Sequence, residues 1–235
     1  MQKNEVSFYS HVLGRNLQVK VYGHWGFPVL LFPTSMGNIN QLEYQGFIDS
    51  VSDKISHGLT KLFVVESIDF DSFYSDHLSS KIKISNYQLY TKFLKEELIP
   101  MIQRESNVHR IGIGGCSFGG YHAANFAFKY PDLIQFLISL SGTFSIKNFL
   151  HGYYDENVYF NSPFDYLPDA ESWTFNHLKI ALGTSDWDIC RQDNLALSRL
   201  LGQKQIDHWY DEKKWITHDW PLWKMQFPEY LDAFL

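Results

Sequence analysis

Near the N-terminus, residues 5–10 and 16–22 alternate polar and apolar positions around Leu13-Gly14-Arg15, and this period of two predicts an antiparallel hairpin. The pattern then changes. Residues 28–32, 60–65, 110–114, 136–140 and 177–182 are short apolar runs with no polar face, as expected of strands covered on both sides. Between them, apolar residues recur at helical spacing. That spacing predicts helices over 46–57, closed by Gly58, over 86–105, over 118–129, stopped before Pro131, and over 193–204. Pro100 has no amide hydrogen and should kink or divide the second of these. A last weak strand near 207–210 leads to a terminal helix beginning near Pro221, a residue favoured in a first helical turn. A hairpin followed by repeated strand–helix units implies an α/β fold with a mostly parallel central sheet and helices on both faces. With no internal repeat, low-complexity tract or linker, residues 1–235 are expected to form a single domain.

One stretch breaks the alternation. Residues 144–175 carry ten aromatics, two prolines and several turn residues. A connection of that length is more often functional than structureless, and it is read as a cap-like or pocket-wall insertion near the active site. The competing reading is an excursion that only covers apolar surface. Aromatics make up 17% of the chain and apolar residues 45%, enough for a sizeable core. A net charge of -6 without any block of Lys or Arg argues against nucleic acid or an anionic membrane as main partner. Cys116 and Cys190 are too few for a disulfide framework. The N-terminus has no basic-then-apolar signal pattern and no segment approaches 18 apolar residues, so a cytoplasmic protein is expected. An exposed aromatic surface would suit a homo-oligomer, and the sequence leaves the oligomeric state open.

The candidate chemistry centres on Gly115-Cys116-Ser117-Phe118-Gly119, between an apolar strand and a helical stretch. A Gly-x-Ser-x-Gly in that context reads as a nucleophile elbow, a turn so sharp that the flanking residues must be small. A serine hydroxyl needs a base within hydrogen-bond reach, and the base needs a carboxylate to fix its tautomer. With this elbow the chain order is Ser, then Asp or Glu, then His. The acid should follow a late strand, where Gly183-Thr-Ser-Asp186-Trp-Asp188 offers two candidates. Asp186 is preferred because the chain has only just left the strand there, and Asp188 is the reserve. Of the ten histidines, only His208 and His218 lie far enough beyond Asp186. His208 falls inside the expected last strand, whereas His218 occupies the loop before the terminal helix and is the expected base. The oxyanion of a tetrahedral intermediate needs two backbone donors. Phe118, directly after the nucleophile, is one; Ser35, in the loop 33–38, is the other, with Met36 close behind.

With these residues in place, the chain resembles the esterase D-like family of the α/β-hydrolases, which includes S-formylglutathione hydrolase and the mycolyltransferase antigens. The likeness rests on Tyr22-Gly-His-Trp-Gly-Phe-Pro-Val, Phe32-Pro-Thr-Ser-Met-Gly, Gly115-Cys-Ser-Phe-Gly-Gly-Tyr-His, Tyr159-Phe-Asn-Ser-Pro and His218-Asp-Trp-Pro-Leu-Trp. It implies an α/β-hydrolase fold and a Ser-His-Asp triad mapping onto Ser117, His218 and Asp186, with an oxyanion donor at Ser35. The loop 33–38 lacks the cysteine and glycine features of esterase D, which argues against a formylglutathione substrate. The expected activity is cleavage of a small-molecule carboxylic ester or thioester through an acyl-enzyme. An acyltransferase with the same triad and a non-catalytic binding protein on this scaffold are the alternatives. No metal or organic cofactor is expected, because no clustered His or Cys has ligand spacing.

Overall fold

The computed structural model describes residues 2–235. Its strands are β1 (Lys3–Ser10), β2 (Arg15–Tyr22), β3 (Phe27–Phe32), β4 (Thr60–Val65), β5 (Ile111–Cys116), β6 (Ile134–Leu140), β7 (Lys179–Trp187) and β8 (Trp209–Thr217). They form one sheet in the order β1-β2-β4-β3-β5-β6-β7-β8. The hairpin β1–β2 joins antiparallel to β4, and every other pairing is parallel. The central strands have no polar face because both faces are covered. Alternate residues of β3 divide between two cores: Leu30 and Phe32 pack toward one cluster, Val29 and Leu31 toward the other.

The first cluster joins the sheet to α3 (Ser80–Phe93), α4 (Ile99–Ser106), α5 (Phe118–Lys129) and α8 (Arg191–Gln203). The second joins it to the segment around Phe47 and Ile48 and to the terminal helix α9 (Trp220–Phe234). Two expected helices are broken. In place of one helix over 46–57 the chain forms α1 (Gln41–Tyr44) just ahead of that range, then a single 3₁₀ turn at Asp49–Val51 and α2 (Ser52–Ser56). Gly46, at φ 68°, stops the first of these, with the Gly46 and Phe47 amides donating back to the Glu43 and Leu42 carbonyls. Between α3 and α4, Leu94–Leu98 widens into a π-turn, one turn ahead of Pro100. The proline ring would press on the carbonyl four residues earlier, and the wider turn relieves that contact.

The late strands run further than their apolar runs. β7 continues through Gly183 to Trp187, and β8 extends to Thr217 through the charged stretch Asp211-Glu-Lys-Lys214. As an edge strand β8 tolerates that charge. His208 lies just before β8 rather than inside it, and its Nε2 is 2.8 Å from Ser198 Oγ.

Segment 144–175 contains α6 (Glu156–Tyr159) and α7 (Pro163–Tyr166), which lie against α3 and α5. Phe144, Tyr166 and Phe175 are buried in the first cluster. The hydroxyls of Tyr153, Tyr154 and Tyr159 donate to Asp155, Asp165 and Asp169 of the same segment. Most of its aromatics therefore serve packing, and Phe149 is the one that meets the elbow residue Phe118. Among the described residues no helix is long and apolar enough to cross a membrane.

Candidate active site

β5 delivers Ser117 to the C-terminal edge of the sheet, where the backbone turns at φ 56° and ψ −121° before α5 begins. A non-glycine residue adopts that conformation only when its surroundings hold it there. The Ser117 amide donates to the Leu140 carbonyl at 2.8 Å, and the Ser117 carbonyl accepts from Gly120 N at 2.9 Å. The two flanking glycines allow close approach. A Cβ on Gly115 would stand 2.3 Å from the Gly119 carbonyl oxygen, and one on Gly119 would stand 2.2 Å from that of Pro33. The elbow is thus pressed directly onto the start of the loop that follows β3.

His218 lies between β8 and α9, with Nε2 2.9 Å from Ser117 Oγ. Its Nδ1 is 2.7 Å from Asp188 Oδ1. An ionised carboxylate can only accept, so Nδ1 carries the proton and Nε2 is left to accept from the serine hydroxyl. Asp188 is fully supported: Thr184 Oγ1 donates to Oδ2 at 3.0 Å and the Cys190 amide to Oδ1 at 2.8 Å. Burial alone would push its carboxyl up. Hydrogen bonds from His218, Ser141 and the Cys190 amide outweigh that and hold it below its ordinary value.

Of the two candidate aspartates, it is Asp188, the reserve, that His218 meets, while Asp186 is engaged elsewhere. β7 does not end near Gly183, so Asp186 is still in the strand, and its Oδ1 accepts the Trp215 amide of β8 at 2.8 Å. Trp215 sits at φ 63° in the irregular β7–β8 pairing, and Asp186 satisfies an amide at that distortion. Asp188 follows the last paired residue, where the turn carries its side chain to His218.

In the loop after β3, the Gly37 amide donates to the Thr34 carbonyl at 2.9 Å, closing a turn with Met36 at φ 57°. The Met36 amide donates to Asp69 Oδ2 at 2.7 Å, and the Ser35 hydroxyl is 2.8 Å from that of Tyr74. Among the described residues the amides of Ser35 and Phe118 make no hydrogen bond. Asp188, Cys190 and His218 place potential metal-ligand atoms within 4.8 Å of one another. A cation there would have to break the short His218–Asp188 contact, and burial, with the charges of Asp188 and Asp193, pushes the Cys190 thiol up to about 12. The trio fits a hydrogen-bonded pair beside a protonated thiol better than a cation site.

Comparison with known proteins gives the family and the fold. A family model described as "Putative esterase" matches residues 10–234. The chain belongs to this esterase family. No curated protein sequence matches it. Solved structures with the same fold include a ferulic acid esterase, at 15% identity and a TM-score of 0.78, covering 99% of this chain and 97% of the other. An S-formylglutathione hydrolase from Staphylococcus aureus superposes with a TM-score of 0.75 at 15% identity, covering 99% and 96%. One from Agrobacterium tumefaciens gives 0.75 at 14% identity, covering 99% and 94%. The fold is that of an α/β-hydrolase, and the protein is an esterase-like hydrolase.

Sequence reasoning passed over several residues of this esterase's site. Trp223, one helical turn into α9, stands edge-on to the His218 ring at 5.1 Å, and its indole N–H donates to Ser141 Oγ at 2.8 Å. The signal was present in His218-Asp-Trp-Pro-Leu-Trp223: Asp219 accepts the Trp220 amide, Pro221 starts the helix, and the turn aims Trp223 back at the imidazole. Phe149 lies 5.3 Å from the Phe118 ring and 4.9 Å from Tyr74, so the aromatic insertion does touch the elbow. Asp69 carried no local signal.

Proposed function

We propose that this esterase cleaves small-molecule carboxylic esters or thioesters through Ser117, His218 and Asp188, by way of an acyl-enzyme. The unbroken hydrogen-bonded sequence from Ser117 Oγ to His218 to Asp188, at 2.9 and 2.7 Å, carries this reading. Ser117 Oγ attacks the acyl carbon while His218 Nε2 takes its proton, and Asp188 stabilises the imidazolium. His218 then protonates the leaving alcohol or thiol, and afterwards takes a proton from the water that hydrolyses the acyl-enzyme.

The oxyanion is assigned to the amides of Phe118 and Ser35. Phe118 N opens the twelve-residue helix α5, whose N-terminal dipole favours negative charge. Between the two candidates in the other loop, the Met36 amide is engaged by Asp69, which leaves that of Ser35. Asp186 has a structural role, not a catalytic one. Phe149, Tyr74 and the half-exposed Met36 border this region, favouring an apolar or aryl acyl or alcohol group. Fold neighbours named for ferulic acid and for S-formylglutathione make aryl esters and thioesters sensible probes.

Pre-steady-state hydrolysis of p-nitrophenyl acetate tests the reading. Wild type should release a burst of about one p-nitrophenol per chain, and Ser117→Ala or His218→Ala should lower kcat by at least ~10⁴-fold. A Ser117→Ala protein within about tenfold of wild type would refute the assignment.

A further inference from the structure

Among the described residues two carboxylates are buried, Asp188 and Asp69, and the proposed chemistry leaves Asp69 unused. It lies just after β4 and is 1% exposed, as is its partner His122. Its two oxygens divide between two elements. Oδ2 accepts the Met36 amide at 2.7 Å, and Oδ1 accepts from His122 Nε2 at 3.0 Å. His122 is on α5, one helical turn beyond Phe118, and its ring meets the Phe118 ring edge-on at 4.8 Å. Behind it, Nδ1 is 3.3 Å from the Tyr87 hydroxyl, which accepts from Asn125 Nδ2 at 3.4 Å.

Burying a carboxylate beside a His122 ring that packs on Phe32 and Phe118 is costly unless each oxygen is satisfied. Here the satisfaction comes from the two elements that carry the assigned oxyanion donors. Met36 also occupies a left-handed turn position where glycine is favoured, so its peptide needs an external anchor. The same short segment supplies a second anchor, because Tyr74 holds the Ser35 hydroxyl and packs edge-on against Phe118 at 5.3 Å.

We propose that Asp69 is a positioning residue for the oxyanion site: its buried carboxylate, shared between Met36 N–H and His122 Nε2–H, fixes the spacing and aim of the Ser35 and Phe118 amides. This rests on the oxyanion assignment above. The Asp69 carboxylate touches neither the substrate nor Ser117; it acts through the two peptides it holds. Ala at this position removes both acceptors at once, whereas Asn would be accommodated, because His122 can carry its proton on Nδ1 toward Tyr87 and accept from the new amide while the amide oxygen still holds Met36 N–H.

The test is Asp69→Ala assayed with p-nitrophenyl acetate and with phenylboronic acid, which adds to a serine oxygen and leaves a boronate oxygen where the oxyanion forms. Removing an oxyanion donor outright costs about 10²–10³-fold, so misaiming one should lower kcat by about 10- to 100-fold with KM within about threefold. The boronate inhibition constant should rise by the same factor, an effect that lost stability alone does not produce. A folded variant with kcat within about twofold, or a kcat loss with unchanged boronate affinity, would overturn the proposal. Should the variant not fold, hydrogen exchange on wild type decides: the Met36 amide should be protected although the side chain is exposed, while that of Ser35 exchanges freely. Equal, fast exchange of both amides would also overturn it. Fluorophosphonate labelling of wild-type Ser117 is run alongside. Its absence would mean that the proposed function, not the role of Asp69, has failed.

Discussion

Asp186 and Asp188 differ by two positions and by everything that matters to His218, so the pair Asp186→Asn and Asp188→Asn separates the two roles. In Asp188→Asn the amide oxygen can still accept from His218 and Cys190 while its NH₂ turns to the Thr184 hydroxyl, so geometry is retained and charge is lost. What disappears is attraction between a carboxylate and the imidazolium formed as Ser117 attacks. At an effective dielectric near 20 and about 4 Å between charge centres this is about 4 kcal/mol, or roughly 10³-fold in kcat. Asp186→Asn loses only charge assistance to one backbone hydrogen bond from Trp215, about 1 kcal/mol of stability, and should leave kcat within about threefold. The assay is p-nitrophenyl acetate hydrolysis at saturating substrate, with thermal melts to confirm that both variants are folded. If Asp186→Asn loses as much as Asp188→Asn, or Asp188→Asn stays within about tenfold, the electrostatic reasoning is wrong.

Two further outcomes test the surrounding structure. Gly119→Ala would drive a methyl group into the Pro33 and Phe32 carbonyl oxygens, 2.2 and 2.5 Å away, and should cost about 1–3 kcal/mol of stability together with activity; a wild-type melt with full activity would contradict the close approach of elbow and loop. Burial, helped by Lys95, pushes the Lys129 ammonium down to about 8 from an ordinary 10.5, so between those values the unfolded chain binds more protons and stability rises with pH. Melts of wild type relative to Lys129→Met should therefore gain on the order of 2 kcal/mol from pH 7 to pH 9.5, and parallel pH curves for the two proteins would show that the lysine is not buried as described.

The parts of this fold legible in the sequence are those dictated by local periodicity. The buried strands 28–32 and 60–65 and the helix Phe118–Lys129 match the apolar runs closely, because full burial leaves no ambiguity about which residues face the core. The elbow serine and the histidine before α9 are likewise brought together, each placed at an element boundary that its own sequence marks. Where β7 ends was not legible. Its last residues are held by pairing with β8, whose charged stretch hides a strand, so Asp186 looked free when it was still inside β7 and bonded to the Trp215 amide. Asp69 and Trp223 lie 48 and more than a hundred residues from Ser117 and reach the site only through tertiary packing, which no local pattern records.

Whether Ser117 is an activated nucleophile is read by fluorophosphonate labelling followed by intact mass. Wild type should take up one phosphonyl group per chain, and Ser117→Ala none. A folded wild-type protein that stays unlabelled would contradict an activated Ser117.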